Sequence, residues 1–459
     1  MKLSRNQVRR KTSTLPDLRF EDQRLTSFSG LLIFHLLFVR LHLKERLRSC
    51  FRHLIKSSRA YDLAVITLGL IVHLLLGFRQ LRDSAFYQDD PMVLRVLGLS
   101  RLPDVATVSR LLASADSDSA ASLRHLCRQL VLEALARLPL SRVTLDFDGS
   151  VLGTGRHAEG TAVGFNRNKK GQRSYYPLFC TVAQTGQVFD VLHRPGNVHD
   201  SNGAADFIRA CVERVREVLP GIHIEIRMDS AFFSDSLVSL LEQLGVEFTI
   251  SVPFERFIEL KALIEGRRHW QPLRRGQAYF ELLWKPKSWA RRYSFLVVRS
   301  QTAVRDAGPV QLDLFVPQVY GYEFKVVLTN KQGHARSIVD FHDGRGAQEG
   351  VFAELKSQGQ LDYVPTRTLA GNQIFLLAAI FAYNLNRELQ MIAQARSRST
   401  APQRPPLWKF ERLHTMRGKL IQRAGRFTQP QGHLTLTLSA NSAVQKELLH
   451  YMAALQKAA

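Results

Sequence analysis

Three acidic residues, Asp148, Asp229 and Glu349, occupy positions from which the chain could bring them together. Asp148 lies in Leu-Asp-Phe-Asp-Gly-Ser, where it closes an alternating run, and Asp229 lies in Ile-Arg-Met-Asp-Ser, at the end of a β-branched run. Glu349 opens a helical pattern after Asp-Gly-Arg-Gly-Ala-Gln. Carboxylates from two strand ends and a helix start make an oxygen-rich site suited to hard divalent cations. Two such ions, roughly 3.5–4 Å apart, activate a water or a 3′-hydroxyl and stabilise the leaving oxygen of a phosphodiester. A lone Asp at a strand end is most often a turn cap; it is the combination of three that points to metal chemistry.

Basic residues flank the third acid at regular spacing. His342, Arg345, Glu349 and Lys356 are separated by three, four and seven positions. On one helix Arg345 and Glu349 are a turn apart, with Lys356 two turns beyond, all near one face. Arg forks a phosphate with two hydrogen bonds and Lys adds a point charge. Read alone, Arg345 and Glu349 would be an ordinary ion pair on a solvated helix. Asp146 competes with Asp148 for the metal role, because alternation puts both on the same face of their strand while Leu145 and Phe147 take the other.

The elements that must position these groups can be read from periodicity. From about residue 27 to 135 the pattern is helical. Pro91 opens one helix and Asp104 caps another. This all-α region could hold a helix-turn-helix reader or could simply be a support. At Arg142 the period changes to that of a strand. Strands are expected near 174–184 and 187–194, with Thr185-Gly186 as their turn, and Arg167-Asn-Lys-Lys-Gly-Gln is a hairpin signal. Asp200 or Ser201 caps a helix to about Val218. His223–Met228 is a strand, 234–244 a helix and Glu247–Val252 a strand. The order βββαβαβ predicts a mixed sheet with helices on its faces. Between 254 and 335 the strands Tyr279–Trp284, Tyr293–Arg299 and Phe324–Thr329 form a β-rich insertion. Helices follow at 350–358 and 370–392, and a strand at His433–Leu438.

The chain carries a net charge of +23, which favours nucleic acid or an anionic membrane as partner. Of 459 residues 45% are hydrophobic, so the chain folds rather than staying disordered. Leu63–Phe78 is the one membrane candidate, about 16 residues where roughly 20 are needed to span; it reads as a buried helix. No secretory signal is expected. Cys50, Cys127, Cys180 and Cys211 are too scattered for a disulfide framework or a zinc site.

Taken together, these motifs resemble those of DDE insertion-sequence transposases that carry a Tyr-x2-Arg-x3-Glu-x6-Lys signature. This chain has His342-x2-Arg345-x3-Glu349-x6-Lys356, with histidine in place of tyrosine. Asp-Phe-Asp-Gly-Ser, His193-Arg-Pro-Gly-Asn and Arg227-Met-Asp-Ser-Ala-Phe also resemble that group. Arg82-Asp-Ser, Asp89-Asp and Leu102-Pro-Asp-Val-Ala-Thr-Val-Ser-Arg resemble the IS-thirteen-eighty subgroup. The resemblance spans roughly residues 25–450. It implies an α/β fold: an RNase H-like mixed-sheet catalytic core (139–253 and 336–396) interrupted by the β-rich insertion (254–335). A helical DNA-binding region (1–138) precedes the core and a C-terminal region (397–459) follows it.

The resemblance further implies Asp148, Asp229 and Glu349 as ligands of two Mg²⁺ ions, with Mn²⁺ as a substitute. Asp148 matches the Asp-Gly-Ser part of the motif, which favours it over Asp146. His342, Arg345 and Lys356 inherit contacts to DNA phosphates. The implied partners are double-stranded DNA at terminal inverted repeats and at the target, and a second copy of the chain in a synaptic homodimer. The implied setting is the bacterial cytoplasm near the nucleoid, without a membrane. The implied reaction is cut-and-paste transfer; a nuclease without strand transfer and a transposase-derived DNA-binding protein are the alternatives. Trp270, Trp284 and Trp289 lie among Arg and Lys in the insertion. Trp284 and Trp289 are candidates for stacking an unpaired base during hairpin formation; the bland reading is that they fill the insertion's core.

Overall fold

Asp146 and Asp148 lie on a strand whose residues alternate between an apolar and a polar face. This strand, β1 (Arg142–Gly149), is an interior strand of a nine-stranded mixed sheet. The computed structural model describes residues 15–54, 61–164, 166, 169–199, 202–301 and 321–457. Residues 1–14, Arg167 and Asn168 of the expected hairpin, and the expected caps Asp200 and Ser201 lie outside the described residues.

The remaining strands are β2 (Leu178–Val182), β3 (Gln187–Leu192), β4 (His223–Met228), β5 (Glu247–Ser251), β6 (Gln271–Arg274), β7 (Gln277–Trp284), β8 (Tyr293–Gln301) and β9 (Tyr322–Thr329). Their order across the sheet is β6-β7-β8-β9-β5-β4-β1-β2-β3. β4 runs parallel to β1 and β5 parallel to β4, whereas β2 and β3 are antiparallel. The expected βββαβαβ order is the one observed. The strands of the 254–335 segment fall where alternation predicts, but they do not make a sheet of their own. β9 pairs with β5 through Val327↔Ser251 and Leu328↔Ile250, so the segment prolongs the core sheet. The reason is physical: β5 would otherwise present a row of unpaired N–H and C=O groups.

Val143, Leu145 and Phe147 of β1 face helices Ala204–Val218 and Asp235–Gln243, which connect β3 to β4 and β4 to β5. Phe207, Ile208, Cys211, Val212 and Val215 form the buried stripe of the first. Gly203 precedes it with φ of 71°, a left-handed turn that glycine adopts without steric cost.

A second core joins the N-terminal helices to helices from the far end of the chain. Leu63–Leu76 is apolar on all sides and buried on all sides, as a short run of this kind should be. Asp62 caps its start by accepting from the Val65 N–H. At its end Arg417 donates to the carbonyls of Leu74 and Leu75, groups a helix leaves without internal partners. Among the described residues no helix is long and apolar enough to cross a membrane. Leu369–Ala393 is the hub: it packs on Leu63–Leu76, on Ser117–Ala136 and on Ser442–Lys457. Ser117–Ala136 is held to the sheet by Arg124 and Arg128, which both reach the buried carboxylate of Asp190 on β3. The 1–138 and 397–459 segments therefore share a hydrophobic core with Leu369–Ala393.

Candidate active site

Facing away from the Leu145 and Phe147 side, β1 and β4 carry a ladder of polar cross-strand neighbours. Register sets Thr144 against Glu225 and Asp146 against Arg227, and ends on Phe147↔Met228. One step further are Asp148 and Asp229, at the carboxyl ends of two adjacent parallel strands. Ligand sites in open α/β sheets lie at such strand ends. Thr144 donates to Glu225 at 2.7 Å. Arg227 forks Asp146 at 2.5 and 2.7 Å, with neither side chain more than 2% exposed. Asp146 is thus committed to a buried ion pair, while Asp148 lies at the edge of the site with its side chain 18% exposed.

The third acid arrives on a short bent segment. Helix α1 (Ala335–Asp343) ends in a 3-10 turn, Gly344–Gly346, and helix α2 (Ala347–Ser357) follows directly. Gln348 fastens α2 to β1 by donating to the Asp146 carbonyl at 3.0 Å. Arg345, in the turn, points its guanidinium between two of the acids. Nη1 is 3.3 Å from Asp148 Oδ2, and Nη2 is 3.9 Å from Glu349 Oε1. Glu349 is open to solvent at 69% exposure. Lys356 is half-buried further along α2. Burial lowers its pKa, while the charges of Asp362 and Asp148 oppose the shift. Asp148 and Asp229 thus end neighbouring parallel strands, Arg345 links Asp148 to Glu349, and Lys356 is close enough to Asp148 to feel its charge.

In kind, three carboxylates suit Mg²⁺ or Mn²⁺, which take oxygen ligands. Among the described residues no three His, Cys, Asp or Glu side chains stand already within reach of one metal ion. The cation that now bridges Asp148 and Glu349 is the Arg345 guanidinium. Asp148 Oδ1 accepts from the Gly149 N–H, and Asp229 Oδ1 from the Ala231 N–H, which orients each carboxylate at its strand end.

The remaining candidates lie elsewhere. His342 is on the inner side of α1, 2% exposed, with Nε2 2.8 Å from Ser251 Oγ and Nδ1 3.0 Å from Thr249 Oγ1. Burial, and then the charges of Lys325, Arg345 and Arg227, push its pKa well below the usual value, so the ring is neutral. It joins α1 to β5, and its imidazole is not presented to a phosphate. Trp284 and Trp289 are also buried, at 8% and 7% exposure. Trp289 stacks on Phe233 with centroids 4.6 Å apart, and Trp284 meets Phe257 and Phe295 edge-on. In this conformation both fill the core beneath the insertion, and neither offers a face for an unpaired base. Trp270 is only partly buried, with the Arg299 guanidinium 4.5 Å from its ring.

Residues not singled out from sequence hold the site's floor. Glu225 is fully buried and receives Arg404 at 2.8 and 2.9 Å, Lys331 at 2.8 Å and Arg142 at 2.8 Å. Burial acts to raise its pKa, but Arg404 and Lys331, with Thr144, hold it far below the usual carboxylate range. A charged residue at an inward strand position beside the acid motifs, as in Glu225-Ile-Arg227-Met-Asp229, is the signal that could have found Glu225 and Arg227. Nothing local to Gln403 or Arg404 marks them.

This arrangement, two acids on adjacent strand ends and a third on a helix beyond a β-strand insertion, is accompanied by a direct family match. The chain belongs to the family of transposase DDE domains, group 1, whose family model matches residues 11–459. It is a DDE transposase by family. No curated protein matches it. Among solved structures, the cryo-EM structure of a piggyBac transposase synaptic complex with hairpin DNA is similar to it. That likeness has 11% sequence identity and a TM-score of 0.41, and covers 94% of this chain and 82% of that one.

Proposed function

We propose that this protein is an active DNA transposase that binds the terminal inverted repeats of a mobile element and performs metal-dependent strand cleavage and strand transfer. Asp148, Asp229 and Glu349 hold the metal, two Mg²⁺ ions with Mn²⁺ able to replace them. The observation that supports this reading is that Asp148 and Asp229 end neighbouring parallel strands while the Arg345 guanidinium links Asp148 to Glu349. The strand order β3-β2-β1-β4-β5, with only β1, β4 and β5 parallel, supports an RNase H-like core. The motif resemblance supports the IS-thirteen-eighty subgroup, and the chain's charge supports DNA as the partner.

Bound divalent ions would polarise the scissile phosphate and lower the pKa of the attacking water or 3′-hydroxyl. The chain's own residues do the rest. Arg345 and Lys356 take phosphate oxygens of the entering strand, Arg345 with the fork that now spans Asp148 and Glu349. Backbone N–H groups at Gly149 and Ala231 keep the carboxylates of Asp148 and Asp229 aimed. A second copy of the chain on the other DNA end completes the synaptic homodimer.

The test uses a duplex carrying the terminal sequences that bracket the gene. Asp148→Asn, Asp229→Asn and Glu349→Gln should each abolish cleavage in Mg²⁺ while leaving DNA binding within a few fold. Normal cutting by Glu349→Gln would remove Glu349 from the triad. Cleavage of the end duplex without rejoining to target DNA would reduce the protein to a nuclease.

A further inference from the structure

Arg227 lies two residues before Asp229 on β4, opposite Asp146, which lies two residues before Asp148 on β1. Its side chain is fully buried, and its hydrogen bonds join four pieces of chain. Nε and Nη2 fork Asp146. Nη1 donates to the Phe341 carbonyl at 2.9 Å and to the Gln403 carbonyl at 2.8 Å. Phe341 is in the last turn of α1, where carbonyls lack helical partners and a cation is favoured. Gln403 belongs to the C-terminal segment that crosses the sheet. Its neighbour Arg404 adopts a left-handed backbone, φ 49°, and forks Glu225.

Next to this junction is Gly344, the first residue of the turn that carries Arg345. A Cβ on Gly344 would lie 1.9 Å from the Gln403 oxygen and 2.3 Å from Arg227 Nη1. The turn is pressed onto Arg227, with no room between them. Arg345 and Glu349 follow one and five residues later. The height of Glu349 above Asp148 is therefore set by where the Arg227 guanidinium places the end of α1.

We propose that Arg227 is a positioning residue for the metal-binding acids. With Asp146 as its counter-ion and the Gln403 carbonyl as its outer stop, it fixes the Gly344–Glu349 segment against the ends of β1 and β4. It touches no substrate. The inference rests on the triad reading above.

The test measures metal binding apart from catalysis: calorimetric titration of the full-length chain with Mn²⁺, beside Mg²⁺-dependent cleavage of the end duplex. Arg227→Lys keeps the charge opposite Asp146, but one ammonium cannot fork Asp146 and reach both carbonyls. It should weaken Mn²⁺ binding by about 10-fold or more and raise the Mg²⁺ concentration for half-maximal cleavage in parallel, the range typical of groups that orient metal ligands. DNA binding and cooperative melting should persist. Because the single change could fail to fold, the pair Asp146→Asn with Arg227→Gln removes both buried charges together and should show the same metal shift. A folded variant of either kind with wild-type Mn²⁺ affinity, while Asp148→Asn loses Mn²⁺ binding, overturns the positioning role alone. If Asp148→Asn itself keeps Mn²⁺ binding and cleavage, the triad reading falls and the proposal falls with it.

Discussion

Arg345 and Asp148, almost two hundred residues apart in sequence, meet with Nη1 3.3 Å from Oδ2, and the same guanidinium reaches toward Glu349. A cation between two acids has two consequences. It relieves their mutual repulsion, and in the proposed site it would compete with a metal ion for the same two carboxylates. Arg345→Ala should therefore split two measurements. Cleavage of the end duplex should fall by about 10²–10³-fold, as when a preorganised charge-stabilising donor is lost. Mn²⁺ affinity, read by calorimetry, should hold or rise, because a competing cation has gone. A parallel loss of Mn²⁺ binding would mean that Arg345 supports the metal rather than the phosphate.

His342 separates a structural role from a DNA-contacting one. Its ring bridges Thr249 and Ser251 from inside the fold. His342→Ala should cost about 1–3 kcal/mol of stability through unsatisfied hydroxyl partners and lost packing. Binding of the end duplex by the folded protein should be unchanged. A large drop in DNA affinity without a drop in melting temperature would restore the phosphate contact. The pH sign follows from the depressed pKa. The folded ring resists protonation more than the unfolded one, so its contribution is full above the ordinary histidine value of about 6.5 and declines as pH falls below it.

Much of this architecture could be read from the residues. Alternation in Val143–Asp148 predicted which side chains face inward, and Asp148 and Asp229 fall at strand ends as the β-branched runs implied. The spacing of Arg345, Glu349 and Lys356 brought them onto one short segment. What could not be read is what long-range pairing decides. β9 joins β5 because β5 has an open edge, a fact of sheet assembly rather than of local pattern. Arg227 looks like one more basic residue until its partner Asp146, 81 residues earlier, is known. His342 shows a different limit: motif spacing located it, but the side of α1 on which it lies is set by packing against β5.

Trp289 tests the reading of the insertion. Its indole stacks on Phe233, the residue four positions after Asp229, so the strands of the insertion are pinned to the end of β4. Trp289→Ala should destabilise the fold by about 3–5 kcal/mol, the range for a buried large aromatic, whereas Trp289→Phe should cost less. Cleavage of the end duplex per folded molecule should match wild type in Trp289→Phe. A Trp289→Phe protein that melts normally but no longer cuts the end duplex would show that the ring leaves the core to meet DNA.

Glu225 carries the acid sensitivity of the core. Arg404, Lys331, Arg142 and Thr144 all converge on one buried carboxylate, and its pKa is held far below the ordinary glutamate value of about 4.5. Because the folded pKa is depressed, the unfolded chain binds more protons at acid pH. The stabilisation is then complete above about 4.5 and lost as pH falls below that value toward the folded pKa. Unfolding free energies measured by denaturant titration should decline steadily below that pH in the wild type. Glu225→Gln leaves Arg404 and Arg142 without this carboxylate and Lys331 with Glu247 alone, and should cost about 3–5 kcal/mol at pH 7. Its remaining stability should fall less steeply with acid than that of the wild type. Equal slopes in the two proteins would mean that Glu225 does not carry the acid sensitivity.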